Sequence, residues 1–474
     1  MTCKTRVWTF VFSSVASYRL LRYVAELAVK GGRTVAYLYT GSDLGFYATV
    51  QADAKRIGAD SCSLEIELTS SSEQISLPTR SVLDRCHSIW MGVAMRFLEQ
   101  PHQAKAFRAV YKQRQQVAYR LLKKLCASIV FCSEDGVSSD LSVLSVAKMM
   151  KLPVVDIPYG NGTVHELEFD LSRKSDEGRL ILAKGLPLLM LKLLAPQWIK
   201  GGKFENALMF TPELIFAWES LGISLQDAWI IHGGNCNILC VENEMSYHQY
   251  TAEKVPEKKM VQTGSPYCDM IVESAYEKKV SISSLKECRK IDRDRTKILV
   301  SWPPSYHETY PDRSEFNSYE EMTKVILGYL NELPGVDLTV SLHPACKDST
   351  RTLLEEIGID VSDEYLLDLF PQADVFVTYF SSTIRWALAT GKIVLNYDAY
   401  NIELKTFDSA PGFMNVSQFD EFCSKIKLLV ESEVYFSDMK RKQVANAPRW
   451  GVLDGECTKR IFDESEKLLV EVHE

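Results

Sequence analysis

Three short polar clusters each directly follow an apolar run with the composition of a buried strand. Ser133-Glu134-Asp135-Gly136 follows Ala127–Cys132, His343-Pro344 follows Asp337–Leu342, and Ser381-Ser382-Thr383 closes the run that begins at Val375. The side-chain types suit group transfer. Either carboxylate of the Glu134-Asp135 pair can act as a general base toward a hydroxyl, with Gly136 permitting a tight turn. The His343 imidazole can donate to a phosphate or protonate a leaving oxygen, on a turn stiffened by Pro344. The hydroxyls of Ser381, Ser382 and Thr383 at a helix start, beside free backbone N–H groups, can hold a phosphate. Each cluster also has a plain structural reading, since Ser, Thr and Asp cap helices everywhere. Further polar positions after strand-like runs are Tyr159 and Asn161 in Pro158–Gly162, Ser301 with His307 close behind it, and the turn Gly264-Ser265-Pro266.

The elements that must position these groups alternate. Strand-like runs at Val7–Phe12, Thr34–Tyr39, Ser63–Leu68, Ala127–Cys132 and Pro153–Ile157 are separated by segments of helical periodicity, 82–125 being the longest. Such alternation predicts parallel sheets with helices on both faces. Residues 163–228 break the rhythm. It resumes at Asn237–Val241, crosses a charged stretch from 273 to 296, and restarts with Ile298–Trp302. The expected division is an N-terminal Rossmann-like domain over 1–264 with an insertion at 163–228, and a nucleotide-binding domain over 265–450. The C-terminal helix, 451–474, returns to the first domain. In doubly wound sheets ligands bind outside the carboxyl ends of the strands, so the expected active site is a cleft between the domains.

Composition narrows the function. The 474 residues are 46% hydrophobic and 24% charged, which excludes a disordered chain. The net charge of −8 disfavours nucleic-acid binding. Twelve cysteines are too few for a disulfide scaffold and read as small buried residues in a reducing, cytoplasmic setting. The apolar run after the charged N-terminus is too short for a signal core and reads as a buried strand. No G-x-G-x-x-G follows a strand, and neither a Walker A nor a G-x-S-x-G sequence is present. Asp292-Arg293-Asp294 is a D-x-D in a charged stretch and not a strand-end metal site. The segment 180–200, rich in Leu with interspersed lysines, can lie at the inner face of a membrane as a peripheral contact. The basic and aromatic run 105–124 can face an anionic acceptor.

Together these features resemble the GT-B architecture of glycosyltransferases and sugar-nucleotide 2-epimerases. The segment LFPQADVFVTYFSSTIRWALATGKIVLNYD, preceded by His343-Pro344, looks like the nucleotide-binding half of capsule and lipopolysaccharide glycosyltransferases. The closing RWGVLDGECTKRI resembles a C-terminal signature of capsule-synthesis proteins. Bacterial sialyltransferases share an acidic pair with Gly, a His-Pro and a Ser-Ser/Thr. Here Glu134-Asp135-Gly136, His343-Pro344 and Ser381-Ser382 occur in that order.

The resemblance implies an enzyme moving a sialic or related ulosonic acid from a CMP-sugar donor to a glycan or glycolipid hydroxyl, inverting by one in-line attack or retaining through a covalent carboxylate intermediate, and without metal or other cofactor. Glu134 or Asp135 would be the base, His343 would assist the leaving CMP, and Ser381, Ser382 and Thr383 would hold its phosphate. The alternatives are a GT-B enzyme using a UDP-sugar or CDP-glycerol, a UDP-N-acetylglucosamine 2-epimerase-like enzyme, and a catalytically silent module of the same fold.

Overall fold

The structure is a computed structural model describing residues 6–70, 75–78, 80–160, 162, 164–283, 295–310, 312–403 and 405–471. Asn161 and the Asp292-Arg293-Asp294 segment lie outside the described residues. The chain divides into two compact units. The first is Met1–Val241, Ser246–Thr263 and Thr458–Glu474, and the second is Glu242–Met245 with Gly264–Cys457.

The first unit is built on a seven-stranded, wholly parallel sheet. Its strands are β1 (Val7–Phe12), β2 (Thr34–Tyr39), β3 (Asp60–Ser63), β4 (Ala127–Cys132), β5 (Val154–Asp156), and, after a small three-stranded antiparallel sheet of β6 (Ile181–Leu182), β7 (Ile199–Lys200) and β8 (Ala207–Leu208), β9 (Ile238–Val241) and β10 (Met260–Gln262). The order is β10-β9-β5-β4-β1-β2-β3. All six residues of β1 are buried, because helices cover both faces of a parallel sheet and leave no position for a polar alternation. Phe10 stacks on Phe131 of the neighbouring strand with centroids 4.7 Å apart. Burying one such ring stabilises the fold by about 2 kcal/mol. The strand order reverses at the β1–β4 pair, so the loops leaving these two strands diverge and open a crevice.

The helices of this unit include α1 (Val15–Lys30), α2 (Leu44–Ile57), α3 (Leu64–Ser70), α4 (Val82–Ala94), α5 (Pro101–Lys124), α6 (Leu141–Met149), α7 (Val164–Asp176), α8 (Gly185–Leu194) and α9 (Pro212–Ser220). The strand expected over Ser63–Leu68 is instead the end of β3 followed by α3. Ser63 Oγ accepts the Ile66 N–H, and Glu65 and Glu67 occupy the first turn, where carboxylates favour a helix start. The irregular stretch 163–228 joins α4 and α5 around its own apolar centre, which includes Met91, Trp198, Phe216 and Trp218. Most described cysteines are buried thiols, as their apolar surroundings led one to expect. Cys126 departs from this, being disulfide-bonded.

The second unit has a five-stranded parallel sheet of β11 (Thr296–Trp302), β12 (Val336–Leu342), β13 (Val375–Thr378), β14 (Ile393–Tyr397) and β15 (Phe413–Val416), in the order β12-β11-β13-β14-β15. Its reversal point lies between β11 and β13. β13 and β14 are fully buried, and their side chains form one core with Ile326, Leu330 and Phe422. Both sheets are doubly wound α/β layers of the Rossmann-like kind.

Candidate functional site

In the first unit, a cavity of about 150 Å³ opens at the carboxyl ends of β1, β4 and β5, lined by Ser13, Thr40, Ser133, Glu134, Ser138 and Tyr159 among others. The two members of the acidic pair have opposite fates. Asp135 is fully buried. Its carboxylate accepts the backbone N–H groups of Gly234 at 3.1 Å, Asn235 at 2.6 Å and Cys236 at 2.6 Å. It ties the loop after β4 to the segment 234–236. Of the expected acidic base pair, only Glu134 reaches the cavity. There it is hydrogen-bonded to Tyr159, whose phenol is pushed up to about 12 by burial and by the Glu134 charge. The cap of α6 is Asp140, which accepts the Ser142 and Val143 N–H groups.

Gly136 is structural. Its N–H donates to the Ile231 carbonyl at 3.0 Å, and a Cβ there would stand 2.7 Å from the Ile230 and Ile231 oxygens. That approach places the next residue, His232, against the end of β5. His232 Nδ1 lies 2.8 Å from Asp156 Oδ2, and both side chains are buried. Burial pushes the Asp156 carboxyl up to about 7, against the pull of His232. Burial alone would favour a neutral imidazole, but the charge of Asp156 and the hydrogen bond to it prevail and raise His232 to about 9. The charges of Asp135 and Glu134 act on both groups in the same direction, so the four side chains form one electrostatic cluster. Sequence reasoning missed His232 and Asp156. The usable signal was the apolar run Trp229-Ile230-Ile231 ending in His232-Gly233-Gly234, a strand-end pattern without a strand. Asp135, Asp156 and Cys236 each bring one donor atom within 4.8 Å of the others. Both Asp135 oxygens are already engaged by amides, and burial holds the Cys236 thiol well above its ordinary value, so this set suits the loop better than an ion.

In the second unit, the expected groups emerge at the carboxyl end of the sheet. His343 follows β12, and its N–H donates to Trp302 O at 2.9 Å. Its Nδ1 accepts the Ala345 N–H at 3.1 Å, which leaves the proton of a neutral ring on Nε2. His343 and Pro344 are exposed. Ser381 and Thr383 follow β13, with their hydroxyls 2.7 Å apart and the Thr383 N–H donating to Ser381 Oγ at 3.2 Å. Ser382 is exposed. The residue before them, Phe380, has φ +37°, and its N–H is held by Asn396 Oδ1 at 3.0 Å. The turn is thereby lifted out of the sheet before the helix Ile384–Ala389 begins. Because β11 separates β12 from β13, the two clusters stand about 10 Å apart along one sheet edge. Ser301 is half-buried at the end of β11, and its carbonyl accepts from Thr378 Oγ1 at 3.4 Å. His307, expected as a contact to ligand, is occupied within its own unit. Nδ1 meets Tyr400 Oη at 2.6 Å, and Nε2 meets the Phe316 carbonyl at 3.3 Å. It braces the loop after β11.

Comparison with known proteins now adds to this geometry. Residues 230–396 match the family model described as CDP-Glycerol:Poly(glycerophosphate) glycerophosphotransferase. No curated protein matches the chain. Among solved structures, the chain is similar to a UDP-GlcNAc 2-epimerase from Neisseria meningitidis bound to UDP-GlcNAc, at 15% identity and a TM-score of 0.52, covering 97% of this chain and 100% of that one. It is similar to MnaA of S. aureus with UDP, at 10% identity and a TM-score of 0.54, covering 99% and 98%. It is also similar to the wall teichoic acid polymerase TagF with CDPG, at 13% identity and a TM-score of 0.51, covering 99% and 90%. The fold is GT-B-like, with two Rossmann-like domains. With this family match, the chain is an enzyme that transfers a glycosyl or glycerophosphoryl group.

Proposed function

We propose that the chain transfers a glycerophosphoryl or related polyol-phosphate group from a CDP-activated donor to a hydroxyl. The observation that carries this reading is the extent of the family match. Residues 230–396 hold His232, His343-Pro344 and Ser381-Ser382-Thr383 together, while the Glu134-Asp135 pair lies outside it.

Asp156 fixes the Nδ1 proton of His232, which leaves Nε2 of the neutral ring to take the proton of the acceptor hydroxyl. The hydroxyl oxygen attacks the β-phosphorus of the donor. The new P–O bond forms as the bond to the bridging oxygen breaks, and CMP departs with the electron pair. The Ser381 and Thr383 hydroxyls and His343 Nε2–H offset the charge on the leaving phosphate, as oriented donors do wherever anionic charge develops. No metal is required by this donor set.

A second reading keeps the same second unit with a CMP-activated ulosonic acid as donor. It is favoured by Glu134, which reaches the cavity at the end of β4 and would then be the base.

Thermal stabilisation by CDP-glycerol, CMP, CDP and UDP, followed by assay of CMP release, tests the proposal. A ligand at 100 times its Kd adds about 2.7 kcal/mol to stability. Stabilisation by CDP-glycerol and by CMP, with CMP released from CDP-glycerol in the presence of a polyol acceptor, supports it. Stabilisation by UDP alone overturns it. The base is tested by pH: with His232 the rate climbs toward about pH 9.

A further inference from the structure

We infer that α4 and α8 form a face of the first unit that seats on an anionic lipid surface. α4 docks firmly by one side only. Met91 and Ala94 are buried in the core around Trp218, and His87 Nε2 meets Glu219 Oε2 of α9 at 2.9 Å. An adjoining strip of the helix carries Leu83, 82% exposed, Trp90, 64% exposed, and Phe97 in the turn that continues the helix. These three recur every seven residues, so they share one face. α8 packs beside α4 and exposes Leu186, Leu189 and Leu193, the last 72% exposed. Large apolar side chains exposed together on two adjoining helices mark an interaction surface.

Charge identifies the occupant. Arg85, Arg96, Lys184 and Lys192 are exposed on the same two helices and their flanks, in a chain whose net charge is −8. Of the acidic groups on α4 and its flanks, Asp84 is engaged at the helix start by Ser81, whose hydroxyl donates to it at 2.7 Å, and Glu99 is exposed beyond Phe97, so the cations outnumber the acids. A second copy docking by this face would set the four cations against themselves. Anionic headgroups complement them, while Leu, Phe and Trp side chains enter the boundary between headgroups and acyl chains. Among the described residues no helix is long and apolar enough to cross a membrane, so the contact is made by lying on the surface. The inference does not depend on the donor assigned above.

Vesicle flotation of the purified chain tests it. Wild type is expected to float with phosphatidylglycerol-containing vesicles, less with pure phosphatidylcholine, and less again at high salt. The pairs Leu83→Glu/Trp90→Glu and Leu189→Glu/Leu193→Glu are each expected to lower partitioning at least about tenfold, with an unchanged melting temperature, because the residues make few contacts. Absence of wild-type flotation with anionic vesicles overturns the inference. So does flotation unchanged in both double variants, or a dimer in sedimentation that these substitutions convert to monomer.

Discussion

His232 Nδ1 and Asp156 Oδ2 stand 2.8 Å apart at the end of β5, and both side chains are buried. Asp156 fixes the tautomer of His232 in the unit whose cavity is lined by Glu134. Its stability should depend on pH with a definite sign. Both groups bind their proton more tightly in the folded chain, with Asp156 raised to about 7 and His232 to about 9. Stability from the protonated Asp156 is therefore lost between about pH 4 and 7, and stability from the charged imidazole between about pH 6.5 and 9. Melting temperature measured against pH should fall across this range in wild type.

Activity should separate the two proton acceptors. Under the proposed reading, His232→Gln lowers kcat by about 10²- to 10⁴-fold and leaves the affinity for CDP within about twofold. Asp156→Asn should lower the rate and shift the alkaline limb of the pH–rate profile toward neutrality. A Glu134→Gln variant that loses activity while His232→Gln retains it would favour the ulosonic-acid reading.

Asp135→Ala should act on stability first. It leaves the N–H groups of Gly234, Asn235 and Cys236 without their acceptor, at about 1 kcal/mol or more for each. Calorimetry should show a loss of about 3 kcal/mol. Glu134→Gln, at a site facing a cavity, should change stability by less than about 1 kcal/mol.

In the second unit, Ser381→Ala should weaken CDP binding by about tenfold, corresponding to about 1.4 kcal/mol, as read by titration calorimetry. His343→Ala should weaken binding and slow turnover together, because its Nε2–H is assigned to the leaving phosphate.

Turnover should persist in EDTA. Loss of activity that Mg²⁺ restores would count against the donor set assigned here, in which side-chain and backbone donors alone offset the charge of the leaving nucleotide.

Much of the architecture was legible before any coordinate. Apolar runs such as Val7–Phe12 and Ala127–Cys132 are continuous rather than alternating, and a strand buried on both faces leaves that trace. The clusters at 133–136, 343–344 and 381–383 sit directly after such runs, so a parallel arrangement brings those within each sheet to its carboxyl edge. Ser63–Leu68 misled because its alternation of apolar and acidic residues suits a strand, while Ser63 capping starts α3 instead.

The parallel strands and the chemical types at their ends can be read from the chain alone, because local periodicity and turn residues act over a few positions. Which of those groups is available depends on contacts distant in the chain. Glu134 and Asp135 are neighbours in the chain, yet the amides that immobilise Asp135 come from about a hundred residues away. His232 acquires Asp156 across 76 positions, and His307 is occupied by Tyr400 across 93. The exposure of Leu83 and Trp90 likewise depends on which side of α4 the rest of the unit covers. Hydrogen bonds and burial of this kind are set by long-range packing, which no local pattern of residue types encodes.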